Sequence, residues 1–280
     1  MTDNNQFKLA GVMGMPVFQS RSPMLHNHWV QRYGVRGAYG HFPVKVENVE
    51  KAIRGLSALG IAGCNITQPH KLIAMKMMDQ LSPMAQRIGA INCIVVQPDG
   101  SLHGFNNDGY GYIQSLKDAK RDWRANDGPI TVIGAGGAAR AVVISLLDEG
   151  AKEIRLLNRT RSKAEELASV NPSVVKVVDW DERNQALDGS AMLVNTTNQG
   201  MYGQPPLDVV LDALPPSALV SDLIYIPLET PLLAAARVRG HLTVNGLGML
   251  LNQAVPAFEA WFGVKPEITD ELRNAILSTF

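Results

Sequence analysis

The sequence predicts an α/β protein of two lobes, the second built on a doubly wound parallel sheet. Three observations carry that prediction. From residue 130 onward, short apolar runs alternate with stretches of helical periodicity. Several of those runs are dominated by Val, Ile and Leu, the pattern of strands covered on both faces. The first 110 residues hold strand and helix signals in a less regular order, as a separate α/β lobe would.

In the first lobe, strands are expected near 9–12, 38–44, 62–66 and 91–96, and helices at 23–33, 46–59 and 72–81. Pro98-Asp99-Gly100 reads as a hairpin turn leading to Leu102. Residues 104–109, GFNNDG, form a turn-rich junction. In the second lobe, strands are expected at 130–133, 153–157, 174–178, 191–195, 218–222 and 242–244, with helices such as 138–147 and 161–170 between them. Beyond Leu247, Leu250, Ala254, Phe258 and Trp261 recur at helical spacing, which predicts a late helix that returns to the first lobe. The expected division is 1–109, a substrate-binding domain; 110–247, a nucleotide-binding domain; and 248–280, helices packing on the first.

Composition bounds the function. With 280 residues, 46% of them hydrophobic, the chain can bury the cores of two ordinary domains. The 26 basic and 26 acidic residues balance, so charge offers no reason to expect a nucleic-acid or membrane partner. Cys64 and Cys93 show neither C-x-x-C spacing nor a nearby histidine ladder; reduced, buried thiols and no metal are expected. The polar start, MTDNNQFK, does not read as a signal peptide, and no apolar stretch approaches the roughly 18 residues of a membrane span. A soluble, cytoplasmic protein is the expectation. Oligomeric state is not readable.

Residues 130–137, ITVIGAGG, run a strand directly into a glycine-rich turn and then a helix. Gly134, Gly136 and Ala139 fit G-x-G-x-x-A: the first glycine permits the tight turn, the second lets backbone approach a pyrophosphate, and the third small residue allows helix and strand to pack closely. The phosphates would then meet free N–H groups at the positive end of the helix. This is the signature of a Rossmann-like, dinucleotide-binding lobe. The second strand ends in Asn158-Arg159-Thr160, with Arg161 and Lys163 beyond, instead of the carboxylate that would bind an NAD ribose. Arg159 can offer charge and a planar donor fork to a 2′-phosphate, and Asn158 and Thr160 can add hydrogen bonds, which favours NADP. A solvated basic helix start is the alternative reading of the same residues.

Three further segments place polar residues where core or turn is otherwise expected. In Ser20-Arg21-Ser22-Pro23, Ser22 before a proline fits a helix N-cap, which leaves Ser20 unexplained. An apolar strand ends at Asn65 and Thr67, Pro69 then starts a helix, and Lys71 falls in its first turn, where the dipole disfavours a cation. A lysine snorkelling to solvent fits Lys71 equally well. Asp108 stands in Asn106-Asn107-Asp108-Gly109, where it could simply cap the following helix. Asn92 lies on the hairpin strand.

Together these segments resemble the shikimate dehydrogenase family over nearly the full length. The resemblance rests on S-x-S-P-x-x-H-N at residues 20–27, N-[VI]-T-x-P-x-K at 65–71, G-A-x-N-T against Gly89-Ala90-Ile91-Asn92-Cys93 and N-T-D-G against residues 106–109. It continues with G-A-G-G-A-x-R-A from Gly134, N-R-T at 158–160, N-x-T-x-x-G-M at 195–201, D-x-x-Y-x-P at 222–227 and G-x-x-M-L-x-x-Q-A at 246–254. The resemblance implies reversible reduction of 3-dehydroshikimate to shikimate with NADP as cofactor. It implies Lys71 as acid/base, with Asp108 as its partner. Ser20, Ser22, Asn65, Thr67, Asn92, Tyr225 and Gln253 match substrate-contacting positions, the serines holding a carboxylate. Ala135, Gly137, Ala138, Thr196, Gly246 and Met249 join Gly134, Gly136 and Asn158-Arg159-Thr160 on the cofactor side.

The departures from the family pattern lie in the first lobe: Gln19 where a histidine is frequent, Cys93 and Asn107 for threonines, and Gln68 and His70 around Pro69. They bear on substrate identity and not on reaction class. His70 either tunes the site or is an exposed helix-start residue. Two other functions fit the pattern less well: a quinate/shikimate dehydrogenase accepting either nicotinamide, and a non-catalytic ligand sensor, against which the retained Lys71 and Asp108 argue.

Overall fold

The computed structural model describes residues 6–279. The first five residues of the polar start and Phe280 lie outside them. Two compact units emerge: one ends at Asn107 and is completed by Gln253–Thr279, and the other runs Asp108–Asn252.

The first unit holds β1 (Lys8–Gly14), α1 (Ser22–Arg32), β2 (Gly37–Pro43), α2 (Val49–Ala58), β3 (Ile61–Ile66), α3 (Lys71–Met75), β4 (Gln80–Leu81), α4 (Pro83–Ile88), β5 (Cys93–Val96) and β6 (Leu102–Phe105). They form one six-stranded sheet in the order β2-β1-β3-β5-β6-β4. The β1, β2 and β3 neighbours run parallel, while β5 turns back antiparallel on both β3 and β6. The expected hairpin at Pro98-Asp99-Gly100 joins β5 to β6. On α2, Val49, Ile53 and Leu56 form one apolar stripe buried against Cys64, Ile66 and Ile94 of the sheet. Each such side chain contributes roughly 1.5–3 kcal/mol of burial. Both cysteines are buried and unpaired, and burial pushes the Cys64 thiol up to about 12.

Several expectations for this unit need correction. The helix expected at 72–81 is the short α3, beginning at Lys71 and not at Pro69; residues 80–81 instead pair with β6, and α4 follows, capped by Ser82, whose Oγ accepts from the Ala85 amide. A methionine-rich run imitates helical periodicity here, while tertiary pairing claims its end as a strand. The helix expected at 46–59 opens with a separate 3-10 turn at Val46–Asn48. Ser22 is the first residue of α1 and caps nothing; its amide donates to Ser20 Oγ at 3.3 Å. Asn92 sits just before β5. His70 is fully buried, with Nε2 2.7 Å from the Val44 carbonyl, so the exposed helix-start reading is excluded.

The second unit holds α5 (Asp108–Ala119), β7 (Ile130–Ile133), α6 (Gly137–Asp148), β8 (Ile154–Leu157), α7 (Arg161–Ala168), β9 (Val175–Val177), β10 (Met192–Asn195), β11 (Leu219–Asp222), α8 (Pro231–Val238) and β12 (Leu242–Val244). All six strands are parallel, in the order β12-β11-β10-β7-β8-β9. Each lies within a residue of its expected bounds. The strand order reverses between β7 and β10, which makes their carboxyl ends the switch point where open α/β sheets bind ligands. Every residue of β7 and β10 is buried, the polar Thr131 and Asn195 included.

The chain closes with α9 (Gly246–Phe262) and α10 (Asp270–Leu277). From Gln253 on, α9 belongs to the first unit. There Phe258 packs 5.3 Å from Trp29, centroid to centroid, and Trp261 Nε1 donates to the Ile94 carbonyl at 2.9 Å. Gly63 makes that approach possible: at φ +153°, a Cβ would stand 2.3 Å from Trp261 Nε1 and 2.1 Å from the Ile94 oxygen. Among the described residues, no helix is long and apolar enough to cross a membrane.

Candidate functional site

In the second unit, the carboxyl end of β7 turns sharply at Gly134, whose φ of +112° suits glycine. Packing excludes a side chain as well, since a Cβ would lie 2.3 Å from Thr196 Oγ1. Thr196 is drawn in because its amide and its hydroxyl both donate to the Ile133 carbonyl, at 2.9 and 2.7 Å. Gly136, the residue before α6, behaves differently. Its backbone is ordinary extended chain, and a Cβ there would meet no described protein atom within 4 Å. Neither conformation nor packing demands a glycine at 136; it leaves backbone N–H groups open at the start of a 12-residue helix, as a pyrophosphate requires.

A cavity of about 290 Å³ opens on this turn. It brings together Gly134, Ala135, Gly136, Asn158, Arg159, Thr160 and Thr196 of the expected cofactor set. It adds Ile133, Lys163, Trp180, Thr197, Asn198 and Gln199. Gly137, Ala138, Gly246 and Met249 are not on its wall. Gly246 is pressed against Leu223, whose carbonyl oxygen a Cβ would meet at 2.0 Å. Asn158 Nδ2 donates to the Thr160 carbonyl at 2.8 Å and so shapes the Asn-Arg-Thr turn. Arg161 is taken up by Glu165 and Asp179, whereas Arg159 and Lys163 are exposed. These two cations stand where a 2′-phosphate would lie in an NADP-binding lobe, and among the described residues no carboxylate lines the cavity to repel it. The residues present fit NADP.

The loop of residues 196–199 is held from beneath by a buried polar network that the sequence pattern did not reveal. Asn195 Oδ1 accepts from the Thr197 amide and hydroxyl, at 3.0 and 2.8 Å. Its Nδ2 donates to the Gln199 carbonyl and to Asp222 Oδ1, both at 3.1 Å. Asp222 also accepts from the Ile224 amide and the Thr230 hydroxyl. Burial raises the Asp222 carboxyl above the usual range, and its hydrogen bonds only partly oppose this. Tyr225 follows directly and is half-buried.

In the first unit, three of the expected substrate residues, Asn65, Asn92 and Gln253, fall into one connected set. Tyr39 donates its hydroxyl to Asn65 Oδ1 at 2.6 Å, and Asn65 Nδ2 donates to the Asn92 carbonyl at 3.1 Å. Asn92 Nδ2 reaches Gln253 Oε1 at 3.4 Å, and Asn92 Oδ1 accepts from the Asn107 amide at 2.9 Å. Ser22, Asn65, Asn92 and Gln253 are buried; Ser20, Thr67 and Lys71 are partly exposed. Asp108 begins α5, also partly exposed. Tyr39 was missed because a tyrosine in a strand reads as ordinary core. It stacks 4.2 Å from the His26 ring, which Trp29, Phe258 and Trp261 also surround. Burial drives His26 down to about 3, the Asn65 side chain opposing more weakly.

Three family models match the chain: a shikimate dehydrogenase substrate-binding domain at residues 12–94, shikimate / quinate 5-dehydrogenase at 117–202, and a shikimate 5′-dehydrogenase C-terminal domain at 246–277. The chain belongs to the shikimate dehydrogenase family. A shikimate dehydrogenase (NADP(+)) from Rhodospirillum rubrum is 54% identical over 274 residues, covering 96% of this chain and 97% of that relative. Among solved structures, a quinate dehydrogenase from Corynebacterium glutamicum in complex with NAD superposes with a TM-score of 0.90 at 27% identity, over 98% of this chain and 100% of that one. A shikimate 5-dehydrogenase from Thermus thermophilus, in complex with NADP(H) and shikimate, gives 0.87 at 31% identity, with the same coverage of both chains. The two-lobed α/β fold and the nucleotide lobe expected from sequence are those of this family.

Proposed function

We propose that the protein is an NADP-dependent shikimate dehydrogenase that interconverts 3-dehydroshikimate and shikimate in cytoplasmic aromatic biosynthesis. The observation that carries the reading is the cavity at the end of β7. It unites an open glycine turn with Asn158, Arg159, Thr160 and Lys163, and no carboxylate among the described residues lines it. Gly134, Ala135, Gly136, Gly137 and Ala138 would hold the pyrophosphate, and Asn158-Arg159-Thr160 the 2′-phosphate. Thr196, Gly246 and Met249 complete the cofactor side. The bound nicotinamide supplies the hydride in reduction and accepts it in oxidation.

The protein's own task is to hold the substrate and move one proton. Reduction of a ketone needs a proton at the oxygen as hydride reaches the carbon, and oxidation needs it removed. We assign that proton to Lys71 Nζ, with Asp108 as its partner. Ser20 and Ser22 bind the substrate carboxylate, and Asn65, Thr67, Asn92, Tyr225 and Gln253 the hydroxyls and ring. The hydrogen bonds linking Asn65, Asn92 and Gln253 support that grouping, because they fix three amides in one orientation before a ligand arrives.

The test is Lys71→Ala, assayed in both directions with shikimate and quinate against NADP and NAD. Turnover should fall at least about 10³-fold, with NADP binding unchanged by calorimetry. Near-normal turnover would remove Lys71 from the role. A wild-type preference for quinate with NAD would replace the substrate and cofactor assignments.

A further inference from the structure

Trp180 is a feature of the nucleotide cavity that neither the glycine turn nor the phosphate-binding residues account for. It opens a single 3-10 turn, Trp180–Glu182, after β9. It lines the cavity together with Arg159, Thr160 and Lys163. Its ring is held in place: the Arg183 guanidinium lies 5.2 Å from the ring centroid, and Arg183 Nη1 donates to the Trp180 carbonyl at 3.1 Å. Arg183 is itself fixed on Asp208, through the carbonyl at 2.7 Å and the carboxylate at 2.6 Å. The partly buried indole also packs against the apolar cluster that includes Leu193 and Val220. The result is a rigid aromatic wall beside two exposed cations.

We propose that Trp180 is the platform for the adenine ring of the cofactor. This inference rests on the NADP reading above and assigns its adenine end. The chemistry sorts the wall by ligand group. Pyrophosphate takes backbone N–H groups at a helix start, and a 2′-phosphate takes Arg and Lys. The remaining group of that half is flat, uncharged and aromatic, which an immobilised indole binds by stacking. A ring already clamped by Arg183 loses little freedom on binding, so most of the stacking energy appears as affinity.

The chain carries a built-in reporter for this. Of its four tryptophans, Trp29, Trp123 and Trp261 are 0%, 4% and 2% exposed, so Trp180 is the accessible emitter. Titrations of NADP and of 2′,5′-ADP, which keeps the adenine and the 2′-phosphate, are followed by tryptophan emission and by calorimetry on the wild type, Trp180→Phe and Trp180→Ala. Both ligands should quench the wild-type emission. Trp180→Phe keeps a ring: its Kd should stay within about threefold, without the quench. Trp180→Ala should weaken 2′,5′-ADP roughly tenfold, about 1.4 kcal/mol. Nicotinamide mononucleotide, which lacks adenine, should not distinguish the three proteins. Thermal melting of Trp180→Phe matching wild type shows that the fold is intact. Wild-type affinity in Trp180→Ala, or a full quench surviving in Trp180→Phe, overturns the proposal. If the wild type binds neither ligand, the NADP reading itself falls, and this one with it.

Discussion

Removing the Asp222 carboxylate should unseat the floor of the nucleotide cavity, and the structure sets the size of the effect. Asp222 is 1% exposed and accepts three hydrogen bonds, from the Ile224 amide at 3.1 Å, Asn195 Nδ2 at 3.1 Å and Thr230 Oγ1 at 2.8 Å. Asp222→Ala leaves those donors buried without this acceptor, at about 1 kcal/mol each, so a loss of about 3 kcal/mol is expected. For a chain of this size that lowers Tm by roughly 6–12 °C. Asp222→Asn is the decisive control. Its oxygen can still face Asn195 and Ile224, and its amide can donate to the Thr230 hydroxyl, which retains acceptor capacity. It should cost less than about 1 kcal/mol. Because Asn195 carries the loop from Thr197 to Gln199, Asp222→Ala should also raise KM for NADP roughly tenfold, about 1.4 kcal/mol, with a smaller change in KM for shikimate. The pH dependence has a definite sign. The folded protein holds the Asp222 proton to higher pH than the unfolded chain does, so this group's contribution to stability declines as pH rises from about 4 through the raised value and is flat above it. Asp222→Asn removes that slope. Thermal unfolding between about pH 4 and 8, with initial rates near neutral pH, reads all of this. An Asp222→Asn protein as unstable as Asp222→Ala would refute the hydrogen-bond account.

Three other predictions follow from the same geometry. Arg159→Ala should raise KM for NADP roughly 10–100-fold, the worth of a charge-assisted hydrogen bond, and leave KM for NAD nearly unchanged; equal effects on both would show that Arg159 does not read the 2′-phosphate. Gly136→Val should leave Tm within about 2 °C, because its Cβ meets no described protein atom, yet raise KM for NADP at least roughly tenfold; unchanged NADP kinetics would mean that no ligand approaches this backbone. His26, held near 3, binds its proton far more readily in the unfolded chain, so its contribution to stability is intact above about pH 6.5 and is lost as pH falls toward 3. At about pH 5 the loss is about 2 kcal/mol, and His26→Phe should shed that part of the acid sensitivity in urea unfolding; an unchanged slope would assign the sensitivity elsewhere.

The two halves of the molecule differed in how plainly the sequence spoke. In the second unit, strands leave short runs rich in Val, Ile and Leu, and β7 and β12 fall on the expected residues. The glycine turn and Asn158-Arg159-Thr160 are contiguous, so their chemistry could be read locally. In the first unit the mixed sheet draws its strands from scattered segments, and residues 80–81 become a strand through pairing with His103 and Gly104 alone. No local signal at Gln80 carries that information. Ser22 illustrates the same limit: Ser-Pro is a good capping signal, yet helix α1 absorbs the serine as its first residue.

Order along the chain therefore determined the α/β class, the nucleotide lobe, its glycine turn and the preference for NADP, because each depends on neighbours in sequence. The tertiary structure decided what depends on distant partners. It placed Tyr39 on Asn65, Asn92 on Gln253 and Asn195 on Asp222. It buried His70 against Val44, and it brought Trp180 to the wall of a cavity whose glycine turn, at Gly136, lies far upstream in the chain. A hydrogen bond between residues 161 positions apart, as between Asn92 and Gln253, has no period and no motif to announce it; it exists only once the sheet and α9 have closed around it.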